Sequence, residues 1–179
     1  MTLLNAGSKI TEQNYEGATP LLCAAAGNQN PDVIIMLLNE GSSITERNTN
    51  GLTPLLSAAN SNQNPEIITT LLNAGAILTE RDKNGWTPLL CAASNNQNPE
   101  IITTLLNAGA MVTEQDNNGG TSLMYAAGNN KNPEVISTLL KAGADAKAIN
   151  KNHKTAFDFI KGNSALKDSQ AYLDLEAVQ

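Results

Sequence analysis

Aromatic side chains are scarce in this chain, which holds one Trp, three Tyr and two Phe among 179 residues, or 3%. A core built from packed rings is therefore excluded, and the 41% hydrophobic content must act through small aliphatic side chains. Histidine occurs once, as His153, with no second histidine or cysteine at ligand spacing, so a zinc site is excluded and no metal is expected. No apolar run reaches the roughly 18 residues of a membrane-crossing helix. The opening residues Met1 to Gly7 lack the basic region and apolar segment of a secretory signal. A soluble chain with no membrane partner is expected, in the cytoplasm, with a secreted or periplasmic home left open should an export signal have been removed. Positive charge is also sparse: 11 Lys and Arg stand against 17 Asp and Glu, for a formal charge of −6. Without a basic stripe to neutralise phosphates, nucleic acid is not expected as a ligand.

The chain does have a period. Thr53-Pro54-Leu55-Leu56-Ser57-Ala58-Ala59 recurs with small changes from Thr19, Thr87 and Thr121, and in degenerate form from Thr155, so every step is 34 residues. A period of roughly 20 to 50 residues marks a solenoid, in which each unit buries its apolar face only against its neighbours. The units run 14–47, 48–81, 82–115 and 116–149. They are preceded by a partial unit at 1–13 and followed by a capping unit at 150–179, all in one continuous domain. Leu3-Leu4-Asn5-Ala6-Gly7 aligns with Leu37-Leu38-Asn39-Glu40-Gly41, so the chain is expected to begin inside the second helix of a repeat. An apolar edge at Ala24, Ala25, Ile34 and Leu38 would then be open to self-association or to a longer protein.

One unit, 82–115, shows the local logic. Asn84-Gly85 supplies residues that tolerate positive φ, so the chain reverses there. Thr87 is an expected N-cap and Pro88 fits the first helical turn, where a missing N–H costs nothing. Leu89, Leu90, Ala92 and Ala93 make a short helix whose alanines admit a close neighbour. Asn98 and Pro99 repeat the device and open a second helix through Ile101, Ile102, Leu105 and Leu106, which Gly109 ends. Helices of two or three turns do not survive alone, so stacking must supply the stability. Residues 165–177 read as a last amphipathic helix with Leu166, Tyr172, Leu173 and Leu175. Glu12, Glu46, Glu80 and Glu114 recur in the loops between units and read as a solvated face.

These residues resemble the ankyrin repeat. The pattern is carried by Gly51, Thr53-Pro54-Leu55, Ala58-Ala59, Leu71-Leu72 and Gly75-Ala76, and again by Gly85, Thr87-Pro88-Leu89, Ala92-Ala93, Leu105-Leu106 and Gly109-Ala110. The two middle units agree at about 25 of 34 positions. The resemblance implies an all-α solenoid of stacked helix-turn-helix units with turn fingers. Two features depart from it. The family's histidine after Thr-Pro-Leu is replaced by Leu22, Leu56, Leu90 and Met124, so its hydrogen bonding must be met otherwise. The usual Gly-His between the helices becomes Asn62-Gln63-Asn64-Pro65 and its copies, one residue longer. This is similar to the asparagine-rich variant of bacterial ankyrin proteins and implies a bacterial source.

No catalytic constellation is expected, and neither is a cofactor. Cys23 and Cys91 occupy one repeat position two units apart, about 20 Å if units stack at about 10 Å, so both should be free thiols. Nearly two units also separate Cys91 from His153, too far for a nucleophile and its base. His153 stands where other units carry the turn glycine and reads as a surface turn residue.

Recognition of a partner protein remains as the expected function. The resemblance implies that the turn tips and the exposed side of the first helices hold it. Carried over position by position, the expected contact residues are Tyr15 on the first tip, Leu52 on the second, and Lys83, Asn84 and Trp86 on the third. Asn118, Lys151 and Lys154 follow on the later tips, with Ser94, Asn95 and Tyr125 on the helix side. Trp86 is the chain's single tryptophan, at a position where the other units have Ala18, Leu52, Gly120 and Lys154. It reads either as a binding anchor or as a cover for the neighbouring tip. Tyr125 reads either as part of an apolar path with Leu52 and Trp86 or as filler for the last stack. The alternative function is a structural or self-associating segment that uses the N-terminal edge.

Overall fold

The computed structural model describes residues 9–178. The partial unit expected at Leu3 to Gly7 lies outside them. Among the described residues ten helices follow one another in pairs: α1 Pro20–Gly27, α2 Pro31–Asn39, α3 Pro54–Ser61, α4 Pro65–Asn73, α5 Pro88–Asn95, α6 Pro99–Asn107, α7 Ser122–Asn129, α8 Pro133–Lys141, α9 Ala156–Ile160 and α10 Gln170–Glu176. The odd-numbered helices pack on one another in an inner row, and α2, α4, α6 and α8 pack in an outer row that α10 extends beside α8 and α9. The only β pairing among the described residues is an isolated bridge between Gln115 and Thr121. The architecture is an all-α solenoid.

Capping chemistry sets both ends of each helix. Thr19, Thr53, Thr87 and Thr121 accept a hydrogen bond from the backbone three residues on, and proline fills the first turn of α1, α3 and α5. Asn30, Asn64, Asn98 and Asn132 cap the outer helices, each followed by proline and an acid that complements the helix dipole. Gly41, Gly75, Gly109 and Gly143 take positive φ just past the outer helices, as a C′ residue must. The central inner helices are buried on nearly every side, and in α5 every residue from Pro88 to Ser94 is buried, whereas α1 at the end of the row buries only Leu21, Leu22 and Ala25. Alanine at positions 92, 93, 126 and 127, all 0% exposed, is what lets consecutive inner helices meet.

The structure identifies what replaces the missing histidine. Leu22, Leu56, Leu90 and Met124 are core residues, at most 2% exposed. The threonine hydroxyl instead donates to a glutamate 27 residues on, Thr19 to Glu46 and Thr53 to Glu80. The loop carboxylates are thus not merely a solvated face: Glu46 and Glu80 tie the caps of α1 and α3 to the loops that end their own units. Glu114 is buried as well. Burial raises the carboxyl pKa of Glu46, while its bonds with Thr19 and with backbone at Ser43 and Leu22 pull the other way.

The longer turn between helices has an equally definite role. Asn62, Asn96 and Asn130 are fully buried, and each side-chain amide donates to two carbonyls of the preceding unit. Asn96 reaches Ala59 at 3.1 Å and Asn62 at 2.7 Å, and Asn130 reaches Ala93 and Asn96 at 2.9 and 2.8 Å. Each carbonyl oxygen accepts the N–H two residues on, which holds its own turn. Asn163 closes the row against Ala127 and Asn130. The final helix is shorter than the pattern suggested. Asn163, Leu166 and Ser169 form successive turns, and Ser169 caps α10, so helix begins only at Gln170.

Candidate partner-binding surface

The turn fingers are built alike. Asn14, Asn48, Asp82, Asp116 and Asn150 each accept, on one side-chain oxygen, the N–H groups two and four residues on. Each finger then bonds to the next through backbone, Thr49 to Glu16, Lys83 to Asn50, Asn117 to Asn84 and Lys151 to Asn118, at 2.9–3.2 Å. Arg47 and Arg81 clamp pairs of fingers, each guanidinium donating to a carbonyl of its own finger and to one 34 residues further. The backbone of the row is thereby fixed, and side chains at the tips are free to vary. Tyr15, Lys83, Asn84, Asn118, Lys151 and Lys154 are all exposed.

Trp86 and Tyr125 come together. Their ring centroids lie 4.3 Å apart with planes tilted by 50°, and both rings are half-buried. The Tyr125 hydroxyl donates to Asp116 Oδ2 at 2.6 Å, while Asp116 Oδ1 holds its finger. Burial raises the phenol pKa above its ordinary value, and the bond to Asp116 and that carboxylate's charge add to the effect; a bond with Trp86 opposes it, and the charge of Asp82 adds slightly. The ring also explains Gly120, where a Cβ would lie 2.8 Å from Tyr125 Cε2. Tyr125 has taken the space that Leu52 and Trp86 fill from the tip in their own units.

Leu52 does not join this pair in one cavity. It lines a depression of about 170 Å³ toward the N-terminal fingers, with Leu22, Cys23 and Ala26. A second depression, of about 200 Å³, lies toward the C-terminal fingers, lined by Gly120, Met124, Tyr125, Gly128 and Phe159. Either volume suits one side chain of a partner and is below the usual size of a cofactor site. Across the helices between them runs a row of amides: Asn95 donates to Asn60 at 2.7 Å, and Asn129 donates to the Ser94 hydroxyl at 2.9 Å. Asn95 is exposed, whereas Ser94 is only 2% exposed and lies beneath the surface, holding the row together.

Of the reactive side chains, Cys23 lines the Leu52 depression and His153 sits in the last finger, far from one another. Cys23 and Cys91 are free, the first exposed and the second buried, where burial and the charge of Asp82 push the Cys91 thiol up to about 12. His153 is exposed in the last finger with φ 57°, the positive-φ turn position that glycine holds in the other four. Among the described residues no three His, Cys, Asp or Glu side chains are placed to hold a metal ion, and no helix is long and apolar enough to cross a membrane.

A family model described as ankyrin repeats (3 copies) matches residues 1–82 and 61–150. No curated protein matches the sequence.

Proposed function

Because the chain belongs to the ankyrin repeat family, whose repeats serve in general as protein-protein interaction modules, we propose that it holds a partner protein across its fingers and first helices. One observation carries this reading. The outer helices of the middle units are identical in sequence, and side chains that change from unit to unit, at Tyr15, Lys83, Trp86, Tyr125 and Lys154, lie on the fingers and first helices. A scaffold alone has no use for such variation, while a binding surface depends on it. Trp86 and Tyr125 together form the anchor, with Leu52 as a separate apolar contact. We assign no catalytic role and no cofactor to the chain, and its two free thiols suit a reducing compartment such as the cytoplasm.

The test is a crosslinking capture from the source cell with three forms of the protein. The unaltered chain is compared with Leu52→Glu/Trp86→Ala and with Ile77→Glu/Met111→Glu, whose targets are exposed apolar residues away from the fingers. A partner kept by the second pair and lost with the first supports the reading. Loss with the second pair alone moves the contact to the other face.

A second reading, self-association, rests on the outer face of α2 beside α4. It does not rest on the edge expected at Ala24, Ala25, Ile34 and Leu38, where Ala25 and Ile34 are 0% exposed and Ala24 and Leu38 half-buried. On that outer face Ile35 is 46% exposed and lines, with Leu38, a depression of about 340 Å³. Light scattering over a concentration series decides it: a mass that grows with concentration and is held down by Ile35→Glu supports self-association, and a constant monomer mass rejects it.

A further inference from the structure

Among the described residues the single ion pair is Lys161 with Asp158, in the last helical unit. Three finger lysines are therefore left without a carboxylate partner, while the guanidinium groups of Arg47 and Arg81 are engaged by finger carbonyls. Lys83 and Lys151 occupy the same position two fingers apart, and Lys154 stands where Trp86 stands in the third finger. All three are exposed, and the Lys151 ammonium meets only the neutral carbonyl of Asn117, at 2.8 Å. The nearby finger carboxylates are engaged within their own turns: half-buried Asp82 and buried Asp116 each hold two N–H groups, and Asp116 also holds Tyr125. In a chain of net charge −6, the C-terminal half of this face thus offers exposed ammonium groups beside an apolar depression of about 200 Å³.

Resting on the function proposed above, we infer that the occupant of this face is an acidic, extended peptide segment that places one large apolar side chain in the depression floored by Tyr125, Met124 and Phe159. Its carboxylates pair with Lys83, Lys151 and Lys154. Lys83 and Lys151 stand two units apart, roughly 20 Å at the usual helix-packing distance, which an extended chain spans in about six residues. A carboxylate near each end of such a stretch, with the apolar side chain between them, fits this spacing. The exposed amides of Asn118 and Asn129 are left to meet the peptide backbone. Because the chain as a whole repels acids, the selection is made by contact with these three point charges and not by long-range steering.

The experiment uses the full chain and fluorescent peptides of about twelve residues, enough to cover the finger row. One set carries Asp and Glu around a single Phe or Leu. A second set has the same residues with Lys in place of the acids, and a third has Gln. The protein forms are the unaltered chain, Lys83→Glu/Lys151→Glu/Lys154→Glu, a control Lys131→Glu/Lys141→Glu on exposed residues away from the fingers, and Trp86→Ala.

The expected result is tighter binding of the acidic set, weakened roughly 2- to 5-fold per reversed finger lysine and about 10- to 100-fold in the triple variant. The triple variant should gain the Lys-bearing set, and the control should change nothing. Equal binding of the Gln set, with loss in Trp86→Ala, overturns the acidic occupant and leaves the binding face intact. Peptide binding indifferent to every finger and helix variant overturns both readings. Tighter binding of a single-stranded oligonucleotide than of any peptide overturns the peptide in favour of nucleic acid.

Discussion

Tyr125 does three things at once: its ring covers Gly120, packs on Trp86, and its hydroxyl holds the buried Asp116 carboxylate. Tyr125→Phe keeps the first two and removes the third, and should cost about 1–2 kcal/mol at neutral pH in urea unfolding. The phenol's folded pKa is raised, so its contribution is whole below about pH 10, where an unfolded tyrosine ionises, and declines above it. The gap between the unaltered chain and Tyr125→Phe should therefore narrow in alkali; a gap that widens there refutes the hydrogen bond. His153 supplies a second test. Each finger glycine presses on the following finger, as Gly85 shows, where an added Cβ would lie 2.5 Å from Asn117 Oδ1 and 2.9 Å from its backbone N. His153 stands in the last finger, with no further finger among the described residues to meet it. Its strain is thus of φ alone, and His153→Gly should raise stability by roughly 0.5 kcal/mol while Gly85→Ala lowers it by about 1–3 kcal/mol. The role of His153 as a turn residue was legible from its alignment with glycine. The Tyr125 bond to Asp116 was not, because it joins two departures of one unit that look unrelated in sequence, although Gly120 and Tyr125 departing together was the available signal.

At the scale of the element, the asparagine-rich turn separates two kinds of hydrogen bond. Asn96 is wholly buried and satisfies two carbonyls of the preceding unit, whereas Asn98 caps α6 at the edge of solvent and reaches only the Gln63 carbonyl across the interface. Asn96→Ala strands buried groups in two units and should cost roughly 2–4 kcal/mol; Asn98→Ala loses a cap and an exposed bond, for about 1 kcal/mol. Equal costs in chemical denaturation would mean that the buried row is not what joins the units. Helix starts and stops were legible because Thr-Pro, Asn-Pro and terminal glycine act within a few residues of themselves. The long ties were not. Thr19 with Glu46 spans 27 residues within one unit and Asn96 with Ala59 spans 37 between two, and only the folded geometry brings such partners together. The last helix was read too long for a related reason: Leu166 and Leu175 are both core residues, but a turn, with Ser169 as its end, delivers the first of them.

Across the whole molecule these ties all obey one rule, that a residue meets its partner in its own unit or in the adjacent one. Deleting 48–81 should therefore leave a folded chain. Asn96 would then donate to Ala25 and Asn28, the carbonyls that Asn62 uses now, and Arg47 would bridge Gly85 and Gln115 as Arg81 does now. Glu46 would still meet Thr19, since that bond lies within one unit. The two middle units differ at nine of 34 positions, none of them a helix-capping residue, a buried turn asparagine or an apolar residue of the outer helix, so the buried surface lost is that of one unit and one interface. The m-value in urea should fall by roughly a fifth, in proportion to the surface no longer exposed on unfolding, with a single transition retained at lower midpoint. Removing 24 residues out of register, 57–80, should instead break the single transition into parts, because it joins the first turn of α3 to a finger and leaves Asn96 without the carbonyls of Ala59 and Asn62. Cooperative unfolding of both deletions would show that stability lies within single units and not in the ties between them.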